Sequence, residues 1–196
     1  MGKNFDSNYI KELAEEISKN SLISYEDFPK YDLFLSQVID YLNDKFLDEK
    51  FTNNIVQNYT KSEVITKPED GKKRGYTKTH LTQLVLLGYM RPILTTEEIK
   101  KVFRLAFNEI NDRNDDILAW EETYKTFIQI QKESLENNLI TSLASEDKLE
   151  EIIKTFNLKD KDKERIKIFL LVLSLIAEAS VIKKLVQKIV NEYETE

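Results

Sequence analysis

Only four glycines and three prolines punctuate 196 residues. A sheet-rich domain needs frequent tight turns, and these two residues supply most of the backbone geometry that such turns require. Their scarcity therefore predicts an all-α fold. Apolar spacing agrees along most of the chain, with residues recurring three and four apart, as they do on one helix face.

A first amphipathic helix is expected over Ser7 to Lys19, and a connection follows from Ser21 to Pro29. The second, Tyr31 to Phe46, aligns Phe34, Leu35, Val38, Tyr41, Leu42 and Phe46. A polar break at Asp48 to Lys50 separates it from a third helix over Thr52 to Lys61, with Ile55, Val56 and Tyr59 inward and Thr52 as N-cap. Val64 and Ile65 read as a short extended piece, so a small two-stranded wing is expected at most around Ile65 to Tyr76. Its turn is Lys67 to Gly75, rich in turn formers. Thr77 opens a fourth helix to Tyr89, carrying Leu81, Leu84, Val85 and Leu87. Thr95-x-x-Glu98 has the form of a capping box and starts a fifth helix, expected to run to Ile110. Asn111 to Asp116 is the best linker, which divides the chain into residues 1–29, 30–111 and 112–196. Helices are expected beyond it at 117–138, 146–156 and 161–193, with Ala179-Ser180 the place where the last would break.

Several functional classes are disfavoured. The chain has no cysteine and one histidine, so thiolate and His-pair metal sites are absent. His80 has no recognisable catalytic partners and reads as structural. Carboxylate pairs such as Glu121-Glu122 are adjacent in sequence and diverge on a helix. No phosphate-binding glycine motif occurs, so no cofactor is expected, and the chain does not read as an enzyme. The apolar stretch Ile168 to Ile182 contains Glu178 and is shorter than the roughly 20 residues of a bilayer span. The N-terminus lacks the apolar core of a signal peptide, so a cytoplasmic protein is expected. Trp120, Tyr124 and Phe127 form an aromatic stripe at helical spacing, best read as core.

Charge is unevenly distributed. The net charge is −6, yet residues 61–91 carry Lys61, Lys67, Lys72, Lys73, Arg74, Lys78 and Arg91 against Glu63, Glu69 and Asp70. A basic segment within an acidic chain is a local footprint for an anion. Just before it, the third helix leaves Asn53, Asn54, Gln57, Asn58 and Lys61 outside. Amide side chains can pair bidentately with adenine in the major groove, and a lysine suits a phosphate. Lys72, Lys73 and Arg74 can follow a phosphate backbone, and Tyr76 can either reach a phosphate or pack beneath the turn.

The order of helix, turn, amide-rich helix, basic turn and capped helix resembles the MerR-like winged helix-turn-helix. Val56-Gln57-Asn58-Tyr59 followed by Val64-Ile65 and Pro68 is similar to that family's recognition-helix segment. Arg74-x-Tyr76 is similar to its wing motif. The chain departs from it at Gln57, where arginine is usual, and at Glu63, where glycine is usual. The phrase Asn53 to Lys61, with Tyr31-Asp32-Leu33 and Gln37-Val38 upstream, resembles still more closely the YkrK-like bacterial family known as domain of unknown function 1836. The resemblance runs from about Phe28 to Phe107.

Together these features predict a MerR-like winged helix-turn-helix followed by an α-helical C-terminal bundle. The expected function is transcriptional regulation through double-stranded DNA, contacted by Thr52, Asn53, Asn54, Gln57, Asn58, Lys61, Lys72, Lys73, Arg74 and Tyr76. A homodimer is expected through the C-terminal helices, with any small-molecule effector left open. The alternative is a protein-interaction module of the same shape that binds no nucleic acid.

Overall fold

The computed structural model describes residues 22–68, 75–136 and 146–194, together with Glu12 and Glu16. Apart from those two helical residues, the expected first helix lies outside the described residues. The rest is helical: α1 (Leu35–Lys45), α2 (Asn53–Lys61), α3 (Lys78–Met90), α4 (Thr96–Arg104), α5 (Trp120–Glu136), α6 (Glu146–Thr155) and α7 (Asp160–Glu194). Among the described residues there is no strand, and no helix is long and apolar enough to cross a membrane.

The centre of the fold is α3. Every residue from His80 to Met90 is buried, whereas the sequence pattern had marked one apolar face. The His80, Thr82 and Gln83 side chains can lie inside because each of the three meets a partner. Gln83 accepts from the Thr66 N–H at 2.9 Å and donates to the Thr66 hydroxyl at 2.6 Å. His80 Nδ1 accepts from the Thr77 N–H at 3.1 Å, which caps the helix, and Nε2 lies 3.3 Å from the Lys67 carbonyl. A buried polar group paired in this way avoids most of its desolvation cost.

Around α3 pack α1, α5 and α7, and α5 runs against α7. One apolar core continues from Ile23 through Val56, Leu84 and Phe107 to Phe169 and Ala177. Trp120, Tyr124 and Phe127 belong to it, as their spacing predicts. Phe107 stacks on Trp120 at 3.5 Å, and the Tyr124 hydroxyl donates to the Ile23 carbonyl at 2.7 Å. The Asn111 to Asp116 connection is tied to its surroundings: Asn111 Oδ1 accepts from the Lys67 N–H at 2.9 Å.

Several expected element bounds change, most of them through contacts distant in sequence. The second helix starts at Leu35, not Tyr31, because Leu33 exchanges backbone hydrogen bonds with Tyr76 at 2.9 and 3.2 Å. That isolated antiparallel bridge is the only strand-like pairing among the described residues, and residues 69–74 of the expected two-stranded piece over Ile65 to Tyr76 lie outside them. The N–H groups of Thr66 and Lys67 are already taken by the Gln83 and Asn111 side chains. The fifth helix ends at Arg104 rather than Ile110, because the Ala106 carbonyl accepts from the Ile117 N–H at 2.8 Å instead of continuing the helix. The last helix is continuous through Ala179-Ser180, where the Ser180 hydroxyl donates to the Ala177 carbonyl at 2.7 Å. The capping box at Thr95 forms as its spacing predicts, with the Thr95 N–H 2.8 Å from Glu98 Oε2.

Candidate nucleic-acid interface

Helix α2 starts where Thr52 turns extended, its hydroxyl accepting from the Ile55 N–H at 3.3 Å. Val56 is completely buried, and Ile55 and Tyr59 are half-buried, which seats α2 on the core. The opposite face carries Asn53, Asn54, Gln57, Asn58 and Lys61, all exposed. Asn54, Gln57, Asn58 and Lys61 follow the i, i+3, i+4, i+7 spacing of one helical stripe. The sequence and the structure thus agree on which side chains this helix presents.

The turn before α2 is held by two residues that sequence reasoning missed. Asn43, near the end of α1, accepts from the Phe51 N–H at 2.7 Å and donates to the Phe51 carbonyl at 3.1 Å. Arg91, at the end of α3, donates to Glu49 at 3.1 Å and to the Lys50 carbonyl at 3.0 Å. Its guanidinium also lies 4.4 Å from the Phe51 ring centroid. The planar fork of arginine suits this combination of a carboxylate, a carbonyl and an aromatic face. Glu49 is correspondingly held below the usual carboxylate range: burial alone would raise it, and hydrogen bonds from Arg91 and Lys183 outweigh that.

The other end of α2 closes in a Schellman motif. The Glu63 N–H donates to the Thr60 carbonyl at 3.2 Å and the Val64 N–H to the Tyr59 carbonyl at 2.9 Å. Glu63 therefore has φ of 56°, the left-handed region that favours glycine. Lys100 braces the motif, donating to the Ser62 carbonyl at 2.9 Å with Glu63 Oε2 at 3.6 Å.

The basic residues are less concentrated than their sequence positions suggest. Lys61 and Lys67 are exposed. Lys78 lies 3.7 Å over the Tyr25 ring, and Arg91 is occupied with the turn. Lys72, Lys73 and Arg74 lie outside the described residues. Tyr76 is 8% exposed, pairs with Leu33 and packs edge-on against His80 at 5.5 Å. Burial raises the pKa of its hydroxyl. The Tyr76 side chain is thus turned into the core.

No metal-binding cluster of histidine and acidic residues occurs among the described residues. No curated protein and no solved structure matches the chain. Residues 23–127 match a family described as a domain of unknown function, DUF1836. The match takes in α1 to α4 and the aromatic start of α5, which is more than half of the sequence. The chain belongs to the DUF1836 family.

Proposed function

We propose that this protein is a bacterial transcriptional regulator that binds double-stranded DNA, with α2 as the recognition helix of a MerR-like helix-turn-helix. The observation that carries this reading is the outer face of α2: four amides and a lysine, all exposed, with no acid before Glu63. In this reading Asn54, Gln57 and Asn58 meet base edges and Lys61 meets a phosphate. The left-handed backbone at Glu63 supports the MerR-like likeness, since glycine is usual there. Two copies would present two α2 helices to a pseudo-palindromic site, as helix-turn-helix dimers do. Lys72, Lys73 and Arg74 would add phosphate contacts from the turn after α2.

The test is fluorescence anisotropy with mixed genomic DNA fragments over a salt series. Binding is expected at low salt and should weaken linearly on a log–log plot. Lys61→Ala should reduce the salt slope by about 1, whereas Asn54→Ala/Gln57→Ala/Asn58→Ala should erase sequence preference. Absence of any shift at low salt overturns the reading. That outcome favours the same face as a protein-docking surface, a role suited to a chain of net charge −6 with a single cation on this helix face.

A further inference from the structure

An open groove of about 280 Å3 runs between α2 and the start of α4, lined by Ile55, Asn58, Tyr59, Ser62, Arg91 and Thr96. No described carboxylate lines it. Asn58 belongs both to this wall and to the outer face of α2, so the groove opens beside the candidate interface. Its two walls are tied together. Lys100 of α4 donates to the Ser62 carbonyl at the end of α2, at 2.9 Å, while Val56 and Ile99 are both buried in the core beneath.

The polar groups of the groove can donate hydrogen bonds. Asn58 brings an amide, and Tyr59 and Thr96 bring hydroxyls, whereas the Ser62 hydroxyl is spent on the Asn58 carbonyl at 2.8 Å. Cations continue from the groove along α4. Lys100 and Arg104 lie one turn apart on one face, and both line a smaller depression that reaches Glu63 and Glu109. Arg104 is exposed. The Lys100 ammonium has three protons, so bracing α2 leaves it able to meet a further oxygen. The carboxylates at the two ends are each held by a cation: Glu49 by Arg91 at 3.1 Å and Glu63 by Lys100 at 3.6 Å.

We propose that this groove seats the phosphodiester backbone of the DNA strand beside α2. Tyr59 and Thr96 donate to phosphate oxygens within it, and Lys100 and Arg104 meet the next phosphate along α4. Thr96 to Arg104 spans about 12 Å of helix, long enough for two successive phosphates. Hydroxyls and cations that face phosphates position a duplex without reading its sequence. The groove therefore fixes how α2 enters the major groove, and the outer amides of α2 read the bases. The inference rests on the DNA-binding reading of α2 and adds to it a second element, α4, whose cations lie outside the basic stretch of residues 61–91.

The test uses the full chain and mixed genomic DNA fragments in fluorescence anisotropy over a salt series. Arg104→Gln should lower the log–log salt slope by about 1 and weaken binding alike on all sequences. Thr96→Trp should fill the groove and weaken binding by about tenfold or more. Lys154→Gln, on the exposed side of α6, removes the same charge away from the groove and should leave the slope unchanged. An unchanged slope in Arg104→Gln, an equal loss of slope in Lys154→Gln, or undiminished binding by Thr96→Trp overturns the proposal. If Thr96→Trp fails to fold by circular dichroism, the two glutamine variants decide. Wild-type protein that binds no DNA overturns the reading of α2 and the groove together. Binding that depends on the α2 amides but not on Arg104 or Thr96 overturns the groove alone.

Discussion

The Asn43 side chain binds the Phe51 backbone as a neighbouring strand would, accepting from its N–H at 2.7 Å and donating to its carbonyl at 3.1 Å. The pair closes the turn that sets where α2 begins. Asn43→Ala leaves both Phe51 groups without that partner and should cost about 2 kcal/mol. Asn43→Asp keeps the acceptor but puts an oxygen against the Phe51 carbonyl, so it should fall short of wild type as well. Urea unfolding measures both. Stability within about 0.5 kcal/mol of wild type for Asn43→Ala would show that water replaces the pair without loss.

Glu63 occupies the left-handed position of the motif that ends α2. A non-glycine residue there is strained by about 1–2 kcal/mol, partly offset by the greater flexibility of glycine in the unfolded chain. Glu63→Gly should therefore raise stability by up to about 1 kcal/mol, despite losing the 3.6 Å approach to Lys100. A lower thermal midpoint in Glu63→Gly would mean that the ion pair outweighs the strain.

At Gly88 an added Cβ would stand 2.6 Å from Phe46 Cζ. The ring cannot simply swing away, since it packs against Phe51 at 6.0 Å and Tyr89 at 5.2 Å. Gly88→Ala should destabilise by about 1–2 kcal/mol net of the better helix propensity of alanine. Adding Phe46→Leu should make the pair less damaging than the sum of the two single changes. Strict additivity in a double-mutant cycle would place the strain elsewhere.

Asp116 has its pKa pushed up to about 7, first by burial and then by the adjacent Asp115. The folded state therefore holds this proton more tightly than the unfolded chain. The stabilising contribution is complete below about pH 4 and is lost as pH rises through 7. Asp116→Asn should exceed wild type by about 1 kcal/mol at pH 8, after discounting for solvent screening of a part-exposed group, and should show no gain below about pH 4. Unfolding curves across that range check the sign, and a constant difference at every pH would remove Asp116 as the cause.

Along α7, Ile168, Leu171, Leu175, Ile182, Val186 and Val190 are 39–53% exposed. Their spacing puts them on one stripe of a 35-residue helix. A second copy of the chain would cover that stripe, and the expected state in light scattering is a dimer at micromolar concentration. Leu175→Glu/Ile182→Glu should yield a folded monomer. A wild-type monomer at about 100 μM would remove the dimer from the DNA-binding scheme.

Local chemistry made α2 legible. A threonine cap, three inward apolar residues and an amide-rich outer face all lie within ten consecutive residues, and none needs a distant partner to be recognised. The Thr95 capping box was legible for the same reason. Asn43 and Arg91 were not, because their partners lie 8 and 41 or 42 residues away and neither residue interrupts a pattern. The late start of α1 depends on a bridge from Leu33 to Tyr76, and the early end of α4 on a hydrogen bond from Ile117.

The sequence by itself determined that the chain is helical, because scarce turn formers and periodic apolar residues act within a few residues of one another. It also determined which side chains α2 can offer. Only the tertiary structure decided that α3 is buried on all sides. Its polar residues need acceptors and donors from Thr66, Lys67 and Thr77, brought there by the chain's return. It likewise decided that Tyr76 faces inward and Arg91 serves the turn, so that the basic stretch of the sequence is not one basic surface among the described residues. Charge counts along a chain ignore direction, and direction is set by packing.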